Sequence, residues 1–227
     1  VFMLVRISPM LQFSELGAIT IISFGLLTAL IAAFSAINQD DIKKVLAYST
    51  MSQLAYIFTG LGSAMWLANN GYEEIAAFAM GASLFHLFNH AMAKGMLFMA
   101  SGSVIHEMHH AHHEVAHHGH GDHDDHHDDG HDDHHDDHHD DHFDAQSMAN
   151  MGGLASRLPI TATAMFVGSM SIIGIPFIGG FWSKEGIIAS AWKVALKEPI
   201  FFLPATLVLL GAGMTGFYMS RMWFMTF

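Results

Sequence analysis

The sequence predicts an all-α membrane protein, a polytopic bundle of transmembrane helices with one discontinuous helix. Three observations predict this fold class. Of the 227 residues, 52% are hydrophobic. Apolar runs of roughly the 20 residues needed to cross a bilayer recur along the chain. One of these runs is interrupted by a cluster of glycine and proline, which breaks a helix.

Five apolar runs are candidate membrane helices. The first contains no charged residue and is the clearest, whereas the second is weaker because it includes Ser49, Thr50, Ser52 and Gln53. The runs predict membrane helices in residues 1–105 and again in residues 151–227. In chain order the five runs are 16–37, 45–66, 75–105, 158–181 and 200–222.

Residues 106–150 form a polar insert between the third and fourth runs. Residues 106–144 hold 14 of the 21 acidic residues and 17 of the 19 histidines, and no Lys or Arg. The rest of the chain carries 7 acidic and 9 basic residues, a net of +2 against the formal −12 of the whole. This distribution indicates a nearly neutral apolar body and no nucleic-acid partner. The alternating His and Asp residues predict an unstructured loop.

The insert is also a candidate for loose metal binding. Imidazole ligands suit Zn²⁺, Ni²⁺ and Cu²⁺, but the fixed ligand spacing of a defined site is absent. A solvated loop without bound metal is the alternative interpretation. The candidate ligands are His109, His110, His112, His113, His117 and His118.

The two ends of the chain suggest how much of the protein it represents, and its basic residues suggest its orientation in the membrane. The opening "VFMLV" is typical of a helix already under way, and the chain stops at "MWFMTF", so we expect a fragment of a larger protein without a signal peptide. The positive-inside rule favours a cytoplasmic insert, in the cytoplasmic membrane of a bacterium or archaeon. It compares two sets of basic residues expected on opposite faces, namely Lys43, Lys44, Arg157 and Arg221 against Arg6, Lys193 and Lys197.

The third run carries a row of basic residues in the segment "HLFNHAMAKGMLF". On an α-helix, His86, His90 and Lys94 fall on one face, about 6 Å apart along the axis. Ionisable groups at membrane depth are costly and usually mark a pathway. The alternative is a pair of ordinary histidine hydrogen bonds with Lys94 reaching toward the membrane surface. Because a cationic row repels metal ions while histidine titrates near neutrality, the row favours proton relay.

The fourth run contains the segment "GIPFIGGFWSKEGII". Pro176 removes a backbone donor and the surrounding glycines loosen the chain, so we expect the helix to break near 174–184. Transporters use such broken helices to hold ions inside the membrane. Lys184 and Glu185 follow directly and are a possible switchable ion pair. The alternative is an ordinary loop with solvated charges.

Four segments resemble a known family. They are "NQDDIKKVLAYSTMSQLAY", "FHLFNHAMAKGMLFMASGSVI", "MGGLASRLP" and "GGFWSKEGII". In order and spacing they resemble the antiporter-like L subunit of respiratory complex I, the NADH:quinone oxidoreductase. The M and N subunits, the large subunit of Mrp-type antiporters and membrane-bound hydrogenases share this fold. The resemblance covers essentially the whole chain apart from the insert.

The resemblance implies a proton channel within a multi-subunit complex in the lipid bilayer. Lys43 would lie near the start of the proton path, and His86 and His90 would bridge it. Lys94 would be a central carrier, and Lys184, paired with Glu185, the terminal site. Quinone reduction elsewhere in the complex would drive the protons. With no Cys and no nucleotide fingerprint, we expect no cofactor in this chain.

Two other functions remain open from the sequence. An Mrp-type cation/proton antiporter would use the same path residues. A heavy-metal transporter would explain the His-rich insert, but it should offer His, Asp or Glu pairs at mid-membrane, where this chain has Lys94. A passive structural subunit does not explain the buried bases.

Overall fold

The computed structural model describes residues 1–118 and 143–227, with side chains described through residue 112 and again from residue 143. Its long helices are α1 (Phe2–Leu11), α2 (Glu15–Ile37), α3 (Ile42–Asn69), α4 (Glu73–His118), α5 (Pro159–Ile173), α6 (Gly179–Lys197) and α7 (Phe202–Thr226). Short 3-10 helices lie at Met148–Asn150, Leu154–Ser156 and Pro199–Phe201. In these two ranges the β pairing is an isolated bridge between Asp41 and Ser147. The predicted all-α membrane fold with a discontinuous helix is confirmed.

Helix α3 lies at the centre of the bundle, in contact with α2, α4, α6 and α7. Three stretches of the described chain are long and apolar enough to cross a membrane, namely Glu15–Ile37, Glu73–His112 and Pro199–Thr226. Helix α3 is not among them, although it has 28 residues. Because protein surrounds α3, its buried face can carry hydroxyl and amide groups that lipid would not tolerate.

Helix α4 is longer than the sequence analysis expected. It runs for 46 residues, about 69 Å, and ends at His118 rather than near residue 105. Residues 103–118 contain no Gly or Pro and include several Ala and Glu residues, which favour a helix. The prediction of an unstructured loop from residue 106 was therefore wrong for residues 106–118, which are helical. Residues 119–142 of the predicted loop lie outside the described residues.

The break between α5 and α6 covers residues 174–178. Gly174 ends α5 with a φ of 88°, a left-handed conformation that favours glycine. Gly180, in the first turn of α6, lies so close to α5 that a Cβ there would be 1.8 Å from the Ser171 carbonyl oxygen. The glycines therefore let the start of α6 pack directly on the end of α5.

One end of the bundle is held by an arginine on α7. The Arg221 guanidinium donates to the carbonyl oxygens of Ile37 at 3.1 Å and Gln39 at 2.6 Å. It also donates to a carboxylate oxygen of Asp40 at 2.6 Å. Asp40 in turn accepts, through its backbone oxygen, from the Met148 amide at 2.7 Å. The α2–α3 turn, α7 and the chain after the insert therefore meet at one end of the bundle.

We expect Gly62→Ala to destabilise the bundle. A Cβ at Gly62 would lie 2.8 Å from a side-chain carbon of Ile22 and 3.0 Å from its backbone nitrogen, so α2 and α3 would have to separate, at a cost of about 1–3 kcal/mol. Thermal unfolding of the detergent-solubilised protein measures the change. Gly81→Ala on α4 is the control, because beyond the adjacent backbone of its own helix nothing lies within 4 Å of its Cβ position. Equal stability of the two variants would contradict the close α2–α3 packing.

Candidate functional site: a buried polar path

Four basic side chains lie inside the helix bundle. His86, His90 and Lys94 on α4 are 3%, 6% and 5% exposed, and Lys184 on α6 is 3% exposed. The three α4 residues share one face of the helix, as their spacing predicts. Each has neighbours on other helices, so the row lies between helices rather than against lipid.

Lys94 is held by α3. Its ammonium donates to the Leu46 carbonyl oxygen at 2.8 Å and to the Ser49 hydroxyl. It also lies 5.9 Å from the centre of the Phe98 ring, within range of a cation–π contact. Lys94 therefore does not reach the membrane surface, and the snorkelling alternative is wrong for this residue.

His86 connects three helices. Its Nδ1 lies 3.0 Å from the Ser183 hydroxyl on α6, and its Nε2 lies 3.2 Å from the Gln53 amide oxygen on α3. The Gln53 amide nitrogen then donates to the Thr215 hydroxyl on α7 at 3.3 Å. Both ring nitrogens of His86 therefore have polar partners. Because an amide oxygen only accepts, Nε2 donates to Gln53, whereas Nδ1 faces a hydroxyl that can either donate or accept.

His90 lies between His86 and Lys94 and is less well satisfied. Its ring centre is 6.3 Å from that of His86, and its buried Nε2 has no hydrogen-bond partner. A cavity of about 10 Å³ adjoins the two histidines, room for about one water molecule. The cavity is lined by Gln53, His86, Asn89, His90, Ala93, Ser171, Ile172 and Gly180. A single water there would give His90 a partner.

Lys184 lies at the broken helix. Its ammonium donates to the carbonyl oxygens of Ile172 at 3.0 Å and Ile173 at 3.5 Å. These carbonyls are at the C-terminal end of α5, where a helix has unpaired oxygens and a partial negative charge. The Tyr56 ring lies 5.3 Å from the ammonium. The break therefore supplies the oxygens that make a buried lysine tolerable.

Lys43 and Glu185 do not join this group. Lys43 is exposed in the first turn of α3, about 4.5 Å along the axis before Leu46, the carbonyl partner of Lys94. Glu185 is exposed. Among the described residues, the ion pairs that form are Lys44 with Asp41 and Arg221 with Asp40. The expected ion pair of Lys184 with Glu185 is therefore not formed, because consecutive helix residues point in different directions.

The candidate metal ligands lie beyond the buried row. His109, His110 and His112 are exposed on the end of α4, and the His112 ring stacks on Phe143 with centres 4.4 Å apart. The side chains of His113, His117 and His118 lie outside the described residues. Within the part of the chain that the structure describes, no three His, Asp or Glu side chains are grouped to hold a metal ion.

The sequence analysis missed the α3 side of the path. Ser49 and Gln53 were interpreted only as weakening a membrane span, and Tyr56 was not considered. In the structure Ser49 contacts Lys94, Gln53 contacts His86, and the Tyr56 ring lies near Lys184. Their spacing of three to four residues places them on one helix face. That periodicity was the signal available in the sequence.

These features define a class of protein, a polytopic helical membrane protein whose bundle encloses a row of titratable groups. The profile of a family described as "NADH:quinone oxidoreductase/Mrp antiporter, TM" matches residues 1–119 and 135–211. The chain belongs to this family. The resemblance found from the sequence motifs is thereby confirmed at the level of the family.

Two curated relatives match along the whole chain. NAD(P)H-quinone oxidoreductase chain 5 of Synechocystis sp. is 38% identical over 227 residues. The chloroplastic subunit 5 of Chaetosphaeridium globosum is 37% identical over 229 residues. In both comparisons the match covers 100% of this chain but 27% of the relative. The chain thus spans about a quarter of the length of these relatives.

A solved structure has the same fold. A chain of the Mrp complex from Dietzia sp. superposes with a TM-score of 0.65, and the match covers 92% of this chain and 30% of that one. The sequence identity is 19%. This similarity shows the fold alone.

We expect Gln53→Leu to destabilise the protein, because it removes the acceptor of the His86 Nε2 and the donor to Thr215. Leaving a buried polar group without a partner costs about 1–3 kcal/mol. Unfolding of the purified protein in detergent measures the loss. Gln12→Leu at the end of α1 makes the same chemical change outside the path and serves as the control. Equal stability of Gln53→Leu and the parent would mean that this network does not hold the helices.

Proposed function

We propose that this chain is part of a proton-translocating subunit of an NAD(P)H:quinone oxidoreductase, of the antiporter-like L or subunit 5 type. Protons would move through Lys94, His90, His86 and Lys184 while quinone is reduced elsewhere in the complex. The observation that carries the proposal is the burial of these four bases between hydrogen-bonded helices. The relatives named as subunit 5 support the choice of complex.

The geometry supports stepwise transfer. Lys94 donates to Ser49, and a hydroxyl can accept one proton while giving up another. His86 lies between Gln53 and Ser183, and Ser183 directly precedes Lys184 on α6. Because positive charges in a poorly solvated interior repel strongly, a proton arriving at one base favours departure from the next. This repulsion gives the row a way to respond to charge changes at either end.

The path mouth would lie at the face that carries Lys43. Residues after the insert are tied to this face, because the Ile42 amide donates to the Gln146 carbonyl oxygen at 3.1 Å. Lys43, Lys44 and Arg221 lie at the same end of the bundle. By the positive-inside rule this face would be the cytoplasmic or equivalent side, and the insert would emerge beside the mouth.

The test is proton pumping by the intact complex in sealed membrane vesicles, driven by NAD(P)H. We expect Lys94→Met and Lys184→Met to lower pumping roughly tenfold, which corresponds to about 1.4 kcal/mol in the slowest step. Lys193→Met is the matched control, because Lys193 is an exposed lysine on α6, the helix of Lys184.

The level of assembled complex is measured in the same vesicles. Loss of pumping in both buried variants, with normal assembly and an active Lys193→Met control, supports the proposal. Pumping at the parent rate in Lys94→Met and Lys184→Met would contradict it.

An Mrp-type cation/proton antiporter is the second candidate, favoured by the fold shared with the Dietzia Mrp complex. In that case the same buried lysines would support sodium-driven proton movement without an electron donor. We expect a sodium gradient to move no protons through this protein in vesicles without NAD(P)H. Sodium-driven proton flux that Lys94→Met abolishes would favour the antiporter instead.

A further inference from the structure

The helical extension of α4 carries a histidine pair that the proton path does not use. Beyond Ile105, which is 7% exposed, α4 continues as a helix to His118. Residues 106–110 read "HEMHH", so His106 and His110 are four residues apart on this helix. Residues at this spacing lie on the same helix face, one turn above the other. A loop, as expected from the sequence, would leave the distance between the two side chains variable, whereas the helix fixes it.

The two imidazole rings lie side by side. Their centres are 4.6 Å apart, and their planes are inclined by 75°. Both side chains are exposed, and neither makes a hydrogen bond or an ion pair with another described residue. The ring nitrogens of His106 and His110 are therefore available to a ligand.

Two imidazoles at this spacing are suited to a divalent transition metal. In the pattern H-E-x-x-H on a helix, which residues 106–110 match, histidines four residues apart bind Zn²⁺ from one face. With Zn–N bonds of about 2.0–2.1 Å, the two ligating nitrogens must come about 3.3 Å from each other. Rings whose centres are 4.6 Å apart can reach this separation by small side-chain rotations, because both side chains are exposed.

The local sequence does not repel a cation. Residues 95–112 contain no Lys or Arg, and Glu107 is exposed beside the pair. Lys94, which makes the buried row unsuitable for a metal, lies 12 residues before His106, about 18 Å along the helix axis. Among the described residues no third His, Asp or Glu joins the pair. Water would complete the coordination, so the site is weaker than a structural zinc site with four protein ligands.

We propose that His106 and His110 bind Zn²⁺, or a divalent transition metal of similar ligand preference, and that the bound ion holds the end of α4 helical. In residues 106–112 Met108 is half-buried and the other side chains are exposed. Helical turns with so little tertiary packing are marginal in water. An ion that links residues 106 and 110 closes one helical turn and stabilises the folded form, because it binds that form alone.

The test is hydrogen exchange of the full-length protein purified in detergent, read by mass spectrometry on peptides that cover residues 103–112, with and without Zn²⁺. At a free Zn²⁺ concentration about ten times the dissociation constant, we expect these amides to exchange roughly tenfold more slowly. His106→Gln and His110→Gln should each abolish the slowing, because one imidazole cannot close the turn. His109→Gln is the matched control, since His109 is also exposed but lies on a different helix face from His106.

Slowing by Zn²⁺ in the parent and in His109→Gln, but in neither variant of the pair, supports the site. Absence of slowing in the parent up to millimolar Zn²⁺ would overturn it. Slowing that survives in either His106→Gln or His110→Gln would also overturn it, because other histidines of the chain would then hold the ion. Loss of the slowing in all three variants would show diffuse binding without a defined pair and would overturn it as well.

The variants replace exposed side chains, so their thermal unfolding without Zn²⁺ should match that of the parent. The metal site and the proton path also fail independently of each other. Parent-like pumping in Lys94→Met would overturn the path and leave the histidine pair standing, whereas unaltered exchange in Zn²⁺ would remove the metal site and leave the path.

Discussion

The burial of positive charge governs this structure. Two lysine ammonium groups lie inside an apolar bundle, where an unpaired charge would be very costly. Neither is balanced by a carboxylate within ion-pair distance among the described residues. Lys94 is instead held by a backbone carbonyl and a hydroxyl of α3, and Lys184 by two backbone carbonyls at the end of α5. Neutral oxygens stabilise a charge without fixing it permanently, which suits a group that must gain and lose a proton.

The broken helix follows from this constraint. An intact helix between residues 159 and 197 would use its own carbonyls internally and would offer none to Lys184. The break at residues 174–178 frees the last carbonyls of α5 and turns α6 back against them. Gly174 permits the left-handed turn, and Gly180 permits the close contact. The glycines allow the backbone to break, and the break exposes the carbonyl oxygens that hold Lys184. The burial of this lysine therefore depends on the glycines.

The polar character of α3 has the same origin. A membrane helix with Ser49, Ser52 and Gln53 would be unfavourable in lipid, but α3 is enclosed by other helices, and its Ser49 and Gln53 contact Lys94 and His86 of α4. The surrounding lipid-facing surface is correspondingly apolar, with Phe24, Leu27, Ile31 and Phe34 all exposed on α2. The buried charges and hydroxyl groups thus lie inside the bundle, whereas apolar side chains form its outer surface.

Much of this was predictable from the sequence. Helix periodicity placed His86, His90 and Lys94 on one face, and the Gly/Pro cluster located the break, because both depend on local geometry. The predicted end of α4, near residue 105, was wrong because composition alone does not show where a helix stops. The pairing of Lys184 with Glu185 was wrong because sequence neighbours on a helix diverge. The partners on α3 and α7 depend on tertiary packing, which the sequence does not encode locally.

The central claim is that the buried groups form one path in series, and a double-mutant measurement tests it most directly. Ser49→Ala removes a partner of Lys94, and Ser183→Ala removes a partner of His86. The initial rate of NAD(P)H-driven proton uptake is measured for both single variants and for the double variant of the intact complex. A series path predicts that the double variant pumps about as fast as the slower single variant. Independent effects that multiply in the double variant would contradict a single path.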